Sequence, residues 1–161
     1  MHYILALGSN IGDRKQNLEK AIDAINNLPY TDIIKASSVY ETEPVDYLRQ
    51  DNFYNIVIEV RSQFEPNEML GICMGVESGL GRIRGIKNGP RIIDLDIIFA
   101  EDKVIKTKNL TVPHLRYNER NFVISPLLEI HPEGEFYGRD FKKYIDGVKD
   151  QEIKIVDKIL V

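Results

Sequence analysis

Gly89-Pro90-Arg91-Ile92-Ile93-Asp94-Leu95-Asp96-Ile97-Ile98-Phe99 is the stretch that settles how the chain folds. Gly89 and Pro90 mark a turn, and the residues after them have the composition of a buried strand, apart from two aspartates that strands disfavour. Side chains alternate with a period of two, so Ile93, Leu95, Ile97 and Phe99 are expected on one face and Asp94 and Asp96 on the other. The two carboxylates then stand roughly 6.5 to 7 Å apart at their Cβ atoms, close enough to converge on one or two hard divalent cations. A bare Asp-x-Asp equally suits the solvated face of an antiparallel strand. Its neighbours tip the balance. Arg82, Arg84, Lys87 and Arg91 lie just upstream among Gly79, Gly81, Gly85 and Gly89. Arginine forks for phosphate oxygens beside carboxylates for Mg²⁺ are what a metal-phosphate substrate needs.

Working outward, Tyr3 to Leu7 is apolar on both faces, as a central strand would be, and ends in Gly8-Ser9-Asn10. Asp13, with Gln16 three residues on, opens a helix whose buried stripe is Leu18, Ala21, Ile22, Ile25 and Leu28, broken by Pro29 and Tyr30. Residues 32–40 form a second strand, and 41–52 a long polar connection. From 53 to 61 Tyr54, Ile56, Ile58 and Val60 alternate with Asn55, Val57 and Glu59, a third strand. Pro66 begins a second helix with Met69, Ile72, Cys73, Val76 and Leu80 toward the core and Leu70, Met74 and Glu77 on a neighbouring stripe that can face a ligand. With the Asp94 strand the order is β-α-β-β-α-β, an α+β ferredoxin-like sandwich with its helices on one face of an antiparallel sheet. The site belongs on the open face or the loops at its edge. Beyond it the chain adds a short helix at 141–145 and an edge strand near 153–159.

The chain has 161 residues, enough for one domain with a real core. Hydrophobic residues at 43% and charged residues at 29% exclude the disordered and fibrous classes, and a formal net charge of −4 argues against a general polyanion binder. Cys73 is the only cysteine, so there is no internal disulfide, and its place in an apolar stripe marks a buried thiol. The apolar start is too short for a signal peptide and no stretch reaches a membrane span, so a cytoplasmic location is expected.

Gly8-Ser9-Asn10, Glu41-Thr42-Glu43-Pro44, Phe53-Tyr54-Asn55, Arg82-Ile83-Arg84, Gly89-Pro90-Arg91-Ile92-Ile93-Asp94-Leu95-Asp96 and Thr111-Val112-Pro113-His114 together resemble the 6-hydroxymethyl-7,8-dihydropterin pyrophosphokinases of folate biosynthesis. The resemblance spans essentially the whole chain, one domain over residues 1–161. It implies transfer of pyrophosphate from ATP to the pterin hydroxymethyl oxygen, with release of AMP. It implies two Mg²⁺ ions on Asp94 and Asp96, and catalysis by Arg82, Arg91, Asp94 and Asp96. ATP would be held by Leu70, Glu77, Arg82, Arg84, Arg91, Ile97, Thr111, His114 and Arg120. The pterin would be held by Thr42, Pro44, Val45, Phe53, Asn55 and Phe122, the aromatic rings stacking on the flat bicycle. The partners implied are ATP and a pterin, with no nucleic acid and no membrane, acting on a monomer. Residues 41–52 and 82–90 are expected to close over the substrates.

Two other readings stay open on sequence alone. One is a different metal-dependent phosphoryl or glycosyl transferase using the same acids. The other is a ferredoxin-like RNA-binding module, which the acidic pair and the negative charge oppose.

Overall fold

The structure, a computed structural model, describes residues 1–44, 48–82 and 89–161. The elements in chain order are β1 (His2–Ser9), α1 (Arg14–Asn26), β2 (Thr31–Ala36), β3 (Ser38–Thr42), β4 (Phe53–Ser62), α2 (Pro66–Gly79), β5 (Asp94–Ala100), β6 (Ile105–Lys106), β7 (Thr111–Val112), α3 (Asn121–Ile130), β8 (Glu135–Phe136), β9 (Arg139–Asp140), α4 (Ile145–Val148) and β10 (Ile153–Lys158). The main sheet is antiparallel in the order β10-β3-β4-β1-β5, with β2 also pairing β4. The β-α-β-β-α-β order is recovered, with one refinement. The expected single strand over 32–40 is two, because Ser37 leaves the ladder: its N–H bonds Val57 O at 2.9 Å and its hydroxyl takes the Val57 N–H at 3.0 Å. β10 supplies the expected edge strand, and the short helix expected over 141–145 is a 3-10 turn at Lys142–Tyr144 that runs on into α4.

α1 begins where its cap predicts, Asp13 Oδ1 accepting the Gln16 N–H at 3.0 Å. Leu18, Ala21, Ile22 and Ile25 of α1 and Met69 and Cys73 of α2 pack with Tyr3, Leu5, Leu7, Ile56, Ile58, Leu95 and Ile97 in the larger core. Leu28 lies past the end of α1 and is half-buried. Cys73 is buried, which pushes its thiol up to about 12 and leaves it inert.

The second face of the sheet is not open. α3, a helix the sequence pattern did not announce, lies across it, and Val123, Ile124, Leu127 and Ile130 pack with Ile4, Val57, Phe99, Phe136, Phe141 and Val148. The layers are therefore helices, sheet, then α3 with the tail. Phe99 belongs to this second core, not to the face of Leu95 and Ile97 as alternation predicted. The register explains it: Leu5 pairs Ile97 while Ile4 pairs Phe99, so Ile98 is an extra residue that shifts the strand by one.

Candidate active site

α3 covers only part of the second face, and polar residues occupy the rest. Registers set them side by side: Gly8 of β1 pairs Asn55 of β4 on one flank and Asp94 of β5 on the other, and Ala6 pairs Val57 and Asp96. Thr42 of β3 faces Phe53, and Tyr40 faces Asn55. Directly paired residues share a face. Asp94, Asp96, Gly8, Asn55, Phe53 and Thr42 thus form one polar field across four strands.

Arginines approach the acids from both sides. Arg82 Nη1 bonds Asp94 Oδ1 at 2.8 Å and Glu77 Oε2 at 2.7 Å. Glu77 is buried and its Oε2 also takes the Leu95 N–H at 2.7 Å. Burial raises the Glu77 pKa, opposed by the Leu95 N–H and the Arg82 charge. Glu77 thus pins the start of β5 to α2 and aims Arg82, a contribution its place on the second stripe of α2 did not disclose. Arg91 Nε stands 3.9 Å from Asp94 Oδ2, is buried, and has no hydrogen-bond acceptor among the described residues. Its backbone is clamped by Asn10: Arg91 N–H donates to Asn10 Oδ1 at 2.8 Å, and Asn10 N–H donates to Arg91 O at 3.1 Å. The same carboxamide donates from Nδ2 to Gln50 Oε1 at 2.8 Å and Asp51 O at 3.0 Å. Asn10 was visible only as part of a motif, without this task attached.

His114 follows the cis Val112–Pro113 bond, and its N–H donates to Ile98 O at 3.0 Å. Nδ1 accepts the Arg116 N–H at 3.1 Å, which leaves the ring proton on Nε2, 3.9 Å from Asp96 Oδ2. Burial, with the Arg120 charge, lowers the His114 pKa to about 4, so the ring is a neutral donor at physiological pH. Asp96 moves the other way, to about 7, through partial removal from water and then repulsion by Asp94, against the pull of Arg120 and Arg91.

Across β1 from the acids, Asn55 Nδ2 on β4 donates to Thr42 Oγ1 at 2.7 Å. Phe53 lies under Arg91, guanidinium carbon 5.0 Å from its ring centre, and Phe122 lies beside Arg120 at 5.5 Å. A Cβ on Gly8 would stand 2.8 Å from Asn55 Oδ1 and 3.6 Å from Phe53 Cδ1, so glycine is what lets these two side chains lie directly against β1.

The structure thus brings together Thr42, Phe53, Asn55, Glu77, Arg82, Arg91, Asp94, Asp96, His114 and Arg120. Others stand apart. Ile97 is buried in the α1–α2 core on the reverse of the strand, and Leu70 is half-buried against the same core. Thr111 is half-buried in the β6–β7 hairpin opposite Lys106. Pro44 is buried where the described part of the connection stops. Val45 and Arg84 lie outside the described residues, as do parts of both segments expected to close. Among the described residues no group of three or more His, Cys, Asp or Glu side chains could hold a metal.

An antiparallel sheet carrying two same-face carboxylates with arginines beside them offers the donor set that divalent cations and phosphate oxygens take up. The model of one family, 7,8-dihydro-6-hydroxymethylpterin-pyrophosphokinase (HPPK), matches residues 4–132. A Bacillus subtilis protein named 2-amino-4-hydroxy-6-hydroxymethyldihydropteridine pyrophosphokinase is 43% identical over 90% of this chain and 87% of its own length. The folic acid synthesis protein fol1 of Schizosaccharomyces pombe is 40% identical over 94% of this chain, which spans only 21% of that protein. A crystal structure of a Plasmodium falciparum HPPK-DHPS variant shares the fold, TM-score 0.71 at 19% identity, covering 93% of this chain and 42% of the other. The chain belongs to the 7,8-dihydro-6-hydroxymethylpterin-pyrophosphokinase family.

Proposed function

We propose that the chain, acting as one domain over residues 1–161, transfers the terminal pyrophosphoryl group of ATP to the hydroxymethyl oxygen of 6-hydroxymethyl-7,8-dihydropterin and releases AMP. The observation that carries this reading is the Asp94–Asp96 pair set between arginines and the hydrogen-bonded Asn55–Thr42 pair on one sheet face, in a chain of this family. The new bond joins that oxygen to the β-phosphorus as the bond from the β-phosphorus to the α-β bridging oxygen breaks. The hydroxyl proton passes to solvent.

The residues fit divalent cations. Two hard carboxylates with no third protein ligand among the described residues leave coordination positions for phosphate oxygens, the usual arrangement for Mg²⁺ with a nucleotide. Burial, and after it repulsion by Asp94, raises the Asp96 pKa, and a cation between the two acids would offset that repulsion. Asp94 and Asp96 would hold two Mg²⁺ ions, which when bound neutralise charge on the phosphates and the departing oxygen. Arg82 and Arg91 bind phosphate oxygens, Arg120 adds positive charge on the Asp96 side, and His114 donates from Nε2. Leu70, Arg84, Ile97 and Thr111 complete the proposed ATP contacts, Ile97 from its main chain since its side chain is buried.

Asn55 and Thr42 meet the polar edge of the pterin. Phe53 and Phe122 stack on its ring, with Pro44 and Val45 along the connection. Positioning and electrostatics supply the rate, and no side chain is placed as a general base. The reading takes the chain as a cytoplasmic monomer with neither nucleic acid nor membrane as partner. Among the described residues no helix is long and apolar enough to cross a membrane. Incubation with ATP, Mg²⁺ and 6-hydroxymethyl-7,8-dihydropterin tests the reading: AMP is the expected nucleotide product, and ADP or free phosphate would overturn it.

A further inference from the structure

α3 starts without a cap of its own. The residue in the N-cap position is Arg120, whose side chain makes no capping bond, although a helix start leaves N–H groups in need of acceptors. The acceptor comes from thirty residues away. Gln151 Oε1 takes the Asn121 N–H at 3.0 Å, and Gln151 Nε2 donates to Glu119 O at 2.8 Å. The Gln151 carbonyl also accepts from Asn121 Nδ2 at 2.8 Å, while Asn121 Oδ1 accepts from the Ser125 hydroxyl. One carboxamide therefore grips the peptide group on each side of Arg120.

The residue so gripped is the one whose charge acts on both Asp96 and His114. The next ring along, Phe122, sits 5.5 Å from its guanidinium. A serine, threonine or aspartate at position 120 would cap the helix locally but would remove that cation from the site. Gln151 instead meets the first amide of α3 and the carbonyl before Arg120, so the start of the helix is tied down with an arginine in the N-cap position. Gln151 itself is held by its N–H to Val148 O at 2.9 Å and lies beyond the residues 4–132 matched by the family.

We infer that Gln151 is a positioning residue: from the tail it clamps the peptide groups on both sides of Arg120 at the start of α3 and so holds Arg120 toward ATP and Phe122 toward the pterin. This rests on the functional reading above. The test is a double-mutant cycle with Gln151→Met, which keeps the side-chain length and loses both amide bonds, and Arg120→Ala, read as separate KM and kcat values. Gln151→Met is expected to raise KM for ATP roughly five- to tenfold and to change kcat less than about twofold. In the Arg120→Ala background the same change is expected to add less than about twofold, because it acts through the residue already removed. Gln151→Glu keeps the acceptor for the Asn121 N–H and is favoured at a helix N-terminus, so it is expected to restore much of the ATP affinity.

If Gln151→Met folds poorly by near-ultraviolet circular dichroism, the cycle is run with Gln151→Glu, whose smaller rise in KM is expected to vanish in the Arg120→Ala background. An unchanged KM in Gln151→Met, effects that multiply in the double variant, or Gln151→Glu no better than Gln151→Met would each overturn the inference while leaving the function intact. An Arg120→Ala variant with unchanged KM for ATP would overturn it together with the ATP contact assigned to Arg120.

Discussion

Two groups of acids sit on the same face of the sheet, at opposite ends of α3, and they are built on opposite plans. At the C-terminal end Glu59 is enclosed: its oxygens meet His2 Nδ1 at 2.8 Å and His131 Nε2 at 2.6 Å, and only 7% of its side chain is exposed. His131 leans in turn on Glu133 at 3.0 Å. At the N-terminal end the side chains of Asp94 and Asp96 remain 26% and 36% exposed. Among the described residues Arg82 is the cation that reaches hydrogen-bonding distance of Asp94, while Arg91 stops 3.9 Å from Asp94 and His114 3.9 Å from Asp96. A carboxylate whose lone pairs are already met by close partners holds strands and helix together. Carboxylates whose cationic neighbours stand back are left with capacity for something that arrives.

The comparison breaks first at the open end. Asp96→Ala is expected to reduce AMP formation on the order of 10³-fold with little change in the denaturation midpoint, since it removes a metal ligand from a half-exposed position. Near-normal turnover would show that the two clusters do not differ in kind. At the closed end the outcome should invert. Glu59→Ala is expected to cost about 3 kcal/mol in urea denaturation, because it strands two imidazoles over buried surface, while turnover per folded molecule stays near that of the parent. A smaller but more selective effect belongs to Gly8→Ala. The added methyl meets Asn55 Oδ1 at 2.8 Å, so KM for the pterin should rise roughly tenfold while binding of ATP alone, followed by calorimetry, hardly changes.

The smallest effect tests a third acid, Glu129 of α3. It accepts from Tyr40 at 2.7 Å and from the Ser38 backbone at 3.0 Å and hydroxyl at 2.8 Å. Burial works against its charge, yet these bonds hold its pKa below the usual value. A carboxyl depressed on folding stabilises above its unfolded pKa, about 4.3, and the benefit fades as pH falls toward the folded value. Glu129→Gln should therefore lower stability at neutral pH and flatten its acid limb in denaturation scans between about pH 5 and 2.

Much of this was legible in the chain. The alternation of Tyr54 to Val60, the Asp13 cap and the Pro66 start are local signals, and local signals located the four central strands and two helices. The acids and arginines were legible because Gly-Pro-Arg and Asp-Leu-Asp lie next to one another in sequence. α3 was not, and the reason is physical. Its cap is contributed by Gln151, its interior contains Pro126, and its first turn carries no acid, so every usual sign of a helix start is absent or borrowed. The tasks of Glu77 and Asn10 were hidden likewise, since each depends on which backbone groups the fold sets before it.

Ile98 has a consequence for how much change the chain can absorb. The extra residue acts as a phase shift: before it, β5 shows aspartates to the α3 side, and after it the same side receives Phe99. A substitution at Ile98 alters one contact, whereas deleting it would restore strict alternation and exchange Phe99 with the inner core, uncoupling the reactive half of the strand from the half that anchors it. That single position sets the reading frame in which one strand serves both chemistry and cohesion.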